Sequence, residues 1–434
     1  MPADTIYALA SARGKAGVSI IRVSGPKALD AAKQFTVLKE IPDRPSLQRL
    51  VSTDGNTIDQ ALVLGFSEGA SFTGEPTIEF QTHGSPAVVA KVLSELSVID
   101  GLRPAQAGEF TRRAMENGQL DLAQVEGLAD LIEAETDAQR RQAMQVFEGH
   151  LGGLAQEWRR DLVRAMALLQ ATIDFADEDV PEDVVPEVTD LVAGVQSSLK
   201  EQAEGYHFAE RVRDGFTVAI IGPPNVGKST LINRLAGRDI AITSDIAGTT
   251  RDTLESYIDI NGLAVTFVDT AGLREGADML ETIGIERATR VAQTADIRLF
   301  LGVTDSDFSV DVNQQASDIA VWTKSDVQGA RSGVLSISAK TGEGVEDLKL
   351  AIADKLETMA SSASSLIRSR HLEAVNRALI ELERIDIKED IDVMPTDLYA
   401  EFLRRASDQL GTIVGDIGVE DVLDEVFASF CLGK

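Results

Sequence analysis

The sequence predicts a multidomain chain in which α/β and all-α parts alternate. An α+β N-terminal domain comes first, then a helical domain into which a mainly parallel, doubly wound α/β unit is inserted. Three observations carry this. A length of 434 residues suits about three domains of roughly 150 residues each. Near Asp121 the apolar pattern changes from two-residue alternation to intervals of three and four. A strand-like run, a glycine-rich loop and a helix-like run follow one another over Phe216–Ala236, and helical periodicity returns after Ser365.

Residues 1–118 form the first domain. Short alternating runs (GVSIIRV from Gly17, IDQALVLG from Ile58, Thr77–Gln81) lie between glycine-rich turns, with one helix at Lys27–Phe35, and predict a mainly antiparallel sheet. Residues 119–213 are the first part of the helical domain. Long helices are expected over more than fifty positions, interrupted near Gly149–Gly153, and a further helix at Val188–Asp214 follows the acidic, proline-bearing stretch Asp174–Glu187. Residues 214–360 alternate strand and helix. SSASS at Ser361–Ser365 reads as a linker, and residues 361–434 supply the second helical part, the alternative being an independent helical domain at the C-terminus.

Composition excludes several classes. Hydrophobic residues make up 44% of the chain, too many for a disordered one. No apolar run approaches the roughly 18 residues of a membrane helix, and MPADTIYALASARGKAG has no basic flank before an apolar core, so a cytoplasmic protein is expected. A lone cysteine, Cys431, forms no internal disulfide, and His83, His150, His207 and His371 are too scattered for a structural metal. With 41 basic and 70 acidic residues the formal charge is −29, which repels nucleic acid; an RNA substrate requires a basic partner or a local patch.

Gly222-Pro-Pro-Asn-Val-Gly227-Lys228-Ser229 is the most specific motif. Phosphates need this arrangement because glycines let successive backbone N–H groups turn inward at a helix N-terminus, while lysine reaches the terminal phosphates and serine ligates magnesium. The cradle is Asn225, Val226, Gly227, Lys228, Ser229 and Thr230. Downstream, Asp269-Thr270-Ala271-Gly272 sets a carboxylate at a strand end near the magnesium water and an amide near the terminal phosphate. After a strand at Asp318–Trp322, Thr323, Lys324 and Asp326 read the base: guanine offers N1–H and 2-amino donors to Asp326, and adenine offers neither. Ser338, Ala339 and Lys340 match a guanine-oxygen loop. Between these lies a switch-type loop, Ser244, Asp245, Ile246, Ala247, Gly248, Thr249 and Thr250, with Thr250 as second magnesium ligand beside Ser229. The unit reads as a Ras-like P-loop GTPase domain. Leu273 stands where Ras-like proteins keep a water-orienting glutamine, so hydrolysis must draw on Arg274, Glu275, Glu281 or a bound monovalent cation.

Taken together, DIAGTTRD, ETIGIERA, SFTGEPTIEFQTHGSP, GEFTRRAMENGQLDLAQVEGLADLI and the terminal FCLGK resemble the MnmE (TrmE) tRNA-modification GTPases over essentially the whole chain. The resemblance implies a homodimer joined through the N-terminal domain. It also implies a potassium ion in place of an arginine finger, held by Asn225, Ser244, Ile246 and Thr249, and a water-positioning glutamate, Glu281. It implies a tetrahydrofolate one-carbon donor, in its 5-formyl or 5,10-methylene form, met by Arg22, Glu79, Gln119 and Lys434. Cys431 would act on RNA, and an FAD-dependent MnmG (GidA)-type partner would join in modifying C5 of the wobble uridine of tRNA, with no membrane involved. Three positions depart from the family pattern: Gln119 for a frequent lysine, Thr323 for asparagine and Ser244 for threonine. The rival reading is a regulatory GTPase, for instance in ribosome assembly, which has no use for the folate-like N-terminus or FCLGK.

Overall fold

The computed structural model describes residues 4–42, 44–174, 184–237, 255–269, 293–308, 315–385, 396–416, 426–427 and 433. Two compact units emerge: Met1–Ala129 with Gly411–Lys434, and Asp130–Leu410.

In the first unit the alternating runs become strands β1 (Thr5–Leu9), β2 (Ala16–Ser24), β3 (Ser46–Val51), β4 (Thr57–Phe66), β5 (Thr77–Gly84) and β6 (Leu102–Pro104). They pair in the order β3-β4-β5-β2-β1-β6, antiparallel except at β1–β6. Alternation sends Ile21, Val23, Ala61, Val63, Ile78 and Phe80 to one face, where helices α1 (Ala28–Phe35) and α2 (Pro86–Ser97) add Ala28, Ala32, Phe35, Val92 and Leu96. Phe35 meets Phe80 edge-on at 5.9 Å between centroids. Each such ring removed from water contributes about 1.5–3 kcal/mol, which fixes the register because a one-residue slip would turn every one of these side chains outward.

Helix α3 (Glu109–Glu116) carries an ion cluster that composition alone does not show. Arg113 donates to Asp4 at 2.7 Å, to Glu75 at 3.1 Å and to Glu109 at 3.1 Å, and Arg103 donates to Glu109 at 2.8 Å. Burial works against the Glu109 charge, but Arg103, the Gln106 amide and Arg113 together hold its carboxyl below the ordinary glutamate value of 4.5. A depressed folded value contributes stability that is complete above 4.5 and is lost as pH falls through the lower folded value. Glu109→Gln removes the acceptor shared by the buried Arg113 and the half-exposed Arg103. It should destabilise the unit by about 3 kcal/mol at neutral pH and flatten the loss of stability below pH 4.5, as read by melts across that range.

Helix α4 (Leu122–Glu133) precedes α5 (Asp137–Phe147), α6 (His150–Asp174) and α7 (Val185–Asp214). The predicted interruption falls at Gly149, with φ +89°. A second break, which the apolar spacing does not show, falls between Glu133 and Asp137, where Thr136 caps α5 in a reciprocal box with Gln139. Beyond the α/β part, residues 361–382 run beside α7. The Ser364 amide donates to Gly205 O at 3.2 Å, the Ser365 amide to Gln202 at 2.9 Å, and Gln196 donates to Leu382 O at 2.9 Å.

The α/β part is a sheet of β7 (Phe216–Ile221), β8 (Glu255–Ile260), β9 (Leu263–Asp269), β10 (Ile297–Gly302), β11 (Ile319–Trp322) and β12 (Leu335–Ser336). Its order is β12-β11-β10-β7-β9-β8, with every pair parallel except β8–β9. β10 is buried along its whole length, as a parallel strand covered on both faces must be. Its one charge, Arg298, is neutralised by a paired contact with Asp318 at 2.7 and 2.8 Å. Helices α8 (Lys228–Ala236) and α9 (Val345–Ala360) pack Leu231, Leu235, Leu348, Ile352 and Leu356 against it. Because the strands are parallel, the loops after β7, β9 and β11 leave the same edge, where open α/β sheets bind ligands. Helix α10 (Ser369–Leu382) and helix α11 (Thr396–Val414) complete the described elements.

Candidate nucleotide site

The loop between β7 and α8 turns through Asn225 at φ +61° and Gly227 at φ +111°. Among the described residues only three non-glycine positions have positive φ, and two of them, Asn225 and Lys324, stand at this edge. Left-handed backbone costs a non-glycine residue about 1 kcal/mol or more, and such strain gathers where function needs a particular loop shape. Lys228, at the first position of α8, is buried, and its Nζ donates to Gly222 O at 2.8 Å and Pro223 O at 2.9 Å. A cation is thereby held at a helix N-terminus beneath a curl of backbone, the charge and shape a polyphosphate requires.

Ser229 Oγ donates to Asp269 Oδ2 at 2.9 Å, and Asp269 is buried at the end of β9. A hydroxyl and a carboxylate side by side are hard oxygen donors of the kind magnesium takes, with water and phosphate oxygens filling its remaining positions. The donor set therefore fits that ion.

Thr323 closes the base side. Its hydroxyl donates to Val226 O at 2.9 Å, tying the segment after β11 to the phosphate loop. Thr323→Val would leave the Val226 carbonyl without this donor, and nucleotide affinity should fall about tenfold in equilibrium titration while the fold is retained. Asp326 is the second residue of a single helical turn (Ser325–Gln328) and accepts from Ser338 Oγ at 2.7 Å. That bond brings together two motifs read separately, since Ser338 heads the Ser338–Lys340 loop, and the Thr341 amide donates back to Ser338 Oγ at 3.2 Å. Gly222, Asn225–Thr230, Asp269, Thr323–Asp326 and Ser338–Lys340 are thus all placed by strand ends or the turns that follow them. Ser244–Thr250, Thr270–Gly272, Leu273–Glu275 and Glu281 lie outside the described residues.

In the first unit Arg22 and Glu79 sit opposite each other in the β2–β5 register, and the Arg22 guanidinium donates to the Glu79 carboxylate at 2.8 Å. Arg22 also lies 5.5 Å from the ring centres of both Phe72 and Phe110. Two residues singled out for separate contacts are one ion pair on an aromatic shelf. Gln119 stands beside Gly74, and the nearby Asn117 donates to Thr73 O at 2.7 Å. Gly433 packs so tightly on the backbone of Leu9 and Ala10 that no side chain fits there, which sets this one glycine against the end of β1, one strand from Arg22. Cys431 and Lys434 lie outside the described residues.

Among the described residues no helix is long and apolar enough to cross a membrane, and no cluster of three metal-ligating side chains occurs. Residues 5–119 match the family description "GTP-binding protein TrmE N-terminus", and residues 122–431 match "MnmE helical domain". A protein of Cereibacter sphaeroides named "tRNA modification GTPase MnmE" is 54% identical over 99% of this chain and 100% of its own. Proteins of the same name from Dinoroseobacter shibae and Roseobacter denitrificans are each 52% identical, again over 99% of this chain and 100% of theirs. Matches of this extent, on a chain whose glycine-rich loop, buried lysine and base-side aspartate meet at one sheet edge, show that it belongs to the MnmE family.

Proposed function

We propose that the protein hydrolyses GTP and, with an FAD-dependent MnmG-type partner, modifies C5 of the wobble uridine of tRNA with an aminomethyl-type group derived from a tetrahydrofolate donor. The observation that carries the GTPase half is the convergence of Lys228, the Ser229–Asp269 pair and the Asp326–Ser338 pair on one edge of a parallel sheet. Lys228 exchanges its carbonyl partners for phosphate oxygens. Ser229 and Thr250 would hold magnesium directly and Asp269 through a water on it; the ion, when bound, would neutralise charge on the β- and γ-phosphates. Asp326 accepts from the guanine edge, and Ser338 fixes the carboxylate for that task. Asn225, Ser244, Ile246 and Thr249 would hold potassium, whose charge substitutes for the absent arginine finger, and Glu281 would position water indirectly.

The tRNA half is supported by the relatives' names, by the Arg22–Glu79 pair beside aromatic rings, and by Gly433 packed on the neighbouring strand β1. A pterin presents an amide-and-amine edge to a carboxylate such as Glu79 and a carbonyl to a guanidinium such as Arg22. We read residues 1–118 as the folate-binding and homodimerising domain. Residues 119–213 and 361–434 form one helical domain around a G domain at residues 214–360, in a cytoplasmic protein. At a net charge of −29, most of the grip on tRNA would come from the partner.

Mass spectrometry of wobble nucleosides from cells lacking this chain tests the reading: the modified uridine should disappear, and an unchanged profile would leave only a regulatory GTPase. Single-turnover hydrolysis should run well faster in potassium than in sodium, and equal rates would discard the cation assignment.

A further inference from the structure

We infer that Arg234 is a positioning residue for guanine, acting through the backbone of the Ala339–Lys340 loop. The inference rests on the base-recognition reading above and goes beyond it. Arg234 lies in the last turn of α8, the helix whose first residue is Lys228. Its Nε donates to Ala339 O at 3.0 Å, its other arm donates to Lys340 O, and Gly342 lies against the guanidinium. One planar fork therefore holds two successive carbonyls of a loop more than a hundred residues further along the chain.

What this does to the base follows from peptide geometry. A trans peptide directs its C=O and N–H to opposite sides, and among the described residues no peptide is cis. With the Ala339 carbonyl turned to Arg234, the Lys340 N–H of the same peptide plane points away from Arg234, in a loop whose first residue, Ser338, is bonded to Asp326. The loop's internal bonds employ other amides: Gly342 donates to Ser338 O at 2.8 Å and Thr341 to Ser338 Oγ at 3.2 Å. A positive group on a carbonyl oxygen also polarises its peptide and strengthens the N–H as a donor. Arg234 thus sets both the direction and the strength of the amide offered to the guanine 6-oxygen. Because its stem rises from α8, it also fixes the distance between the phosphate end and the base end of the ligand.

Calorimetric titration of the full chain with magnesium and GDP, 6-thio-GDP or ADP tests this, using wild type, Arg234→Met and Arg234→Lys. The 6-thio analogue keeps N1–H and the 2-amino group but replaces the oxygen with a poor acceptor, so it isolates the contact in question. Arg234→Met keeps the packing of the stem and should weaken GDP about five- to tenfold while weakening 6-thio-GDP less than twofold. Arg234→Lys, able to reach one carbonyl only, should recover part of the GDP loss. Equal losses on both nucleotides, or no loss on either, would overturn the role of Arg234 while leaving Asp326 as the base reader. A wild-type chain that binds GDP and ADP alike would sink both assignments. A melting temperature within a few degrees of wild type for Arg234→Lys confirms that a folded variant is being compared.

Discussion

Lys228→Met should slow single-turnover GTP hydrolysis by about 10²–10³-fold, comparable to removing a preorganised donor from a transition state that gathers negative charge. The amine is buried at the start of α8 and already aimed across the loop, where Gly222 O and Pro223 O occupy its donors. Phosphate oxygens replace neutral acceptors with charged ones, and a charged acceptor about doubles the strength of each bond. Methionine preserves most of the stem volume, so packing against α8 changes little, and the cost falls on the chemistry. Loss of the two loop bonds should lower stability by no more than about 2 kcal/mol. Quenched-flow measurement of the rate, together with a thermal melt, separates the two effects. A rate within threefold of wild type would remove Lys228 from the mechanism.

The phosphate loop could be read from sequence because its chemistry is local. Strand, glycines, lysine and serine follow within one short stretch, and the backbone turn they require is written in the residue types. The same holds for part of the N-terminal domain: the three alternating runs are β2, β4 and β5, and α1 begins one residue later than its pattern suggested, whereas α2 and α3 stand where the sequence reading places no helix. What could not be read depends on chain segments meeting. Arg22 and Glu79 are 57 positions apart, and only the β2–β5 register puts them face to face. Arg234 looked like an ordinary charged residue in the last turn of a helix, a favourable place for a cation on dipole grounds alone. Its partners are the carbonyls of Ala339 and Lys340, and no side-chain signal marks a carbonyl. The break before α5 is a different case: Thr136-Asp-Ala-Gln139 is a capping box within the sequence itself, hidden by apolar spacing that runs on across it. The Arg113 cluster belongs with Arg22, since Asp4 and Glu75 come to it from distant parts of the chain and only Glu109 lies on its own helix.

Asp326→Asn should exchange one base for another rather than weaken binding uniformly. The carboxylate offers two acceptors, and Ser338 Oγ already donates to Oδ1 at 2.7 Å. In the variant that same hydroxyl still needs an acceptor, so it holds the amide with its oxygen toward Ser338 and its NH₂ toward the base. Guanine then meets a donor with its own donors, and a site that mispairs buried polar groups rejects its ligand by 10³-fold or more. Xanthine carries an oxygen where guanine carries the 2-amino group, so xanthosine triphosphate should bind the variant more tightly than GTP does. Competition binding with GTP, xanthosine triphosphate and ATP measures all three on one preparation. Adding Ser338→Ala releases the amide to flip, which should blunt the preference for xanthine; a double variant as selective as the single one would show that Ser338 does not set the orientation of residue 326.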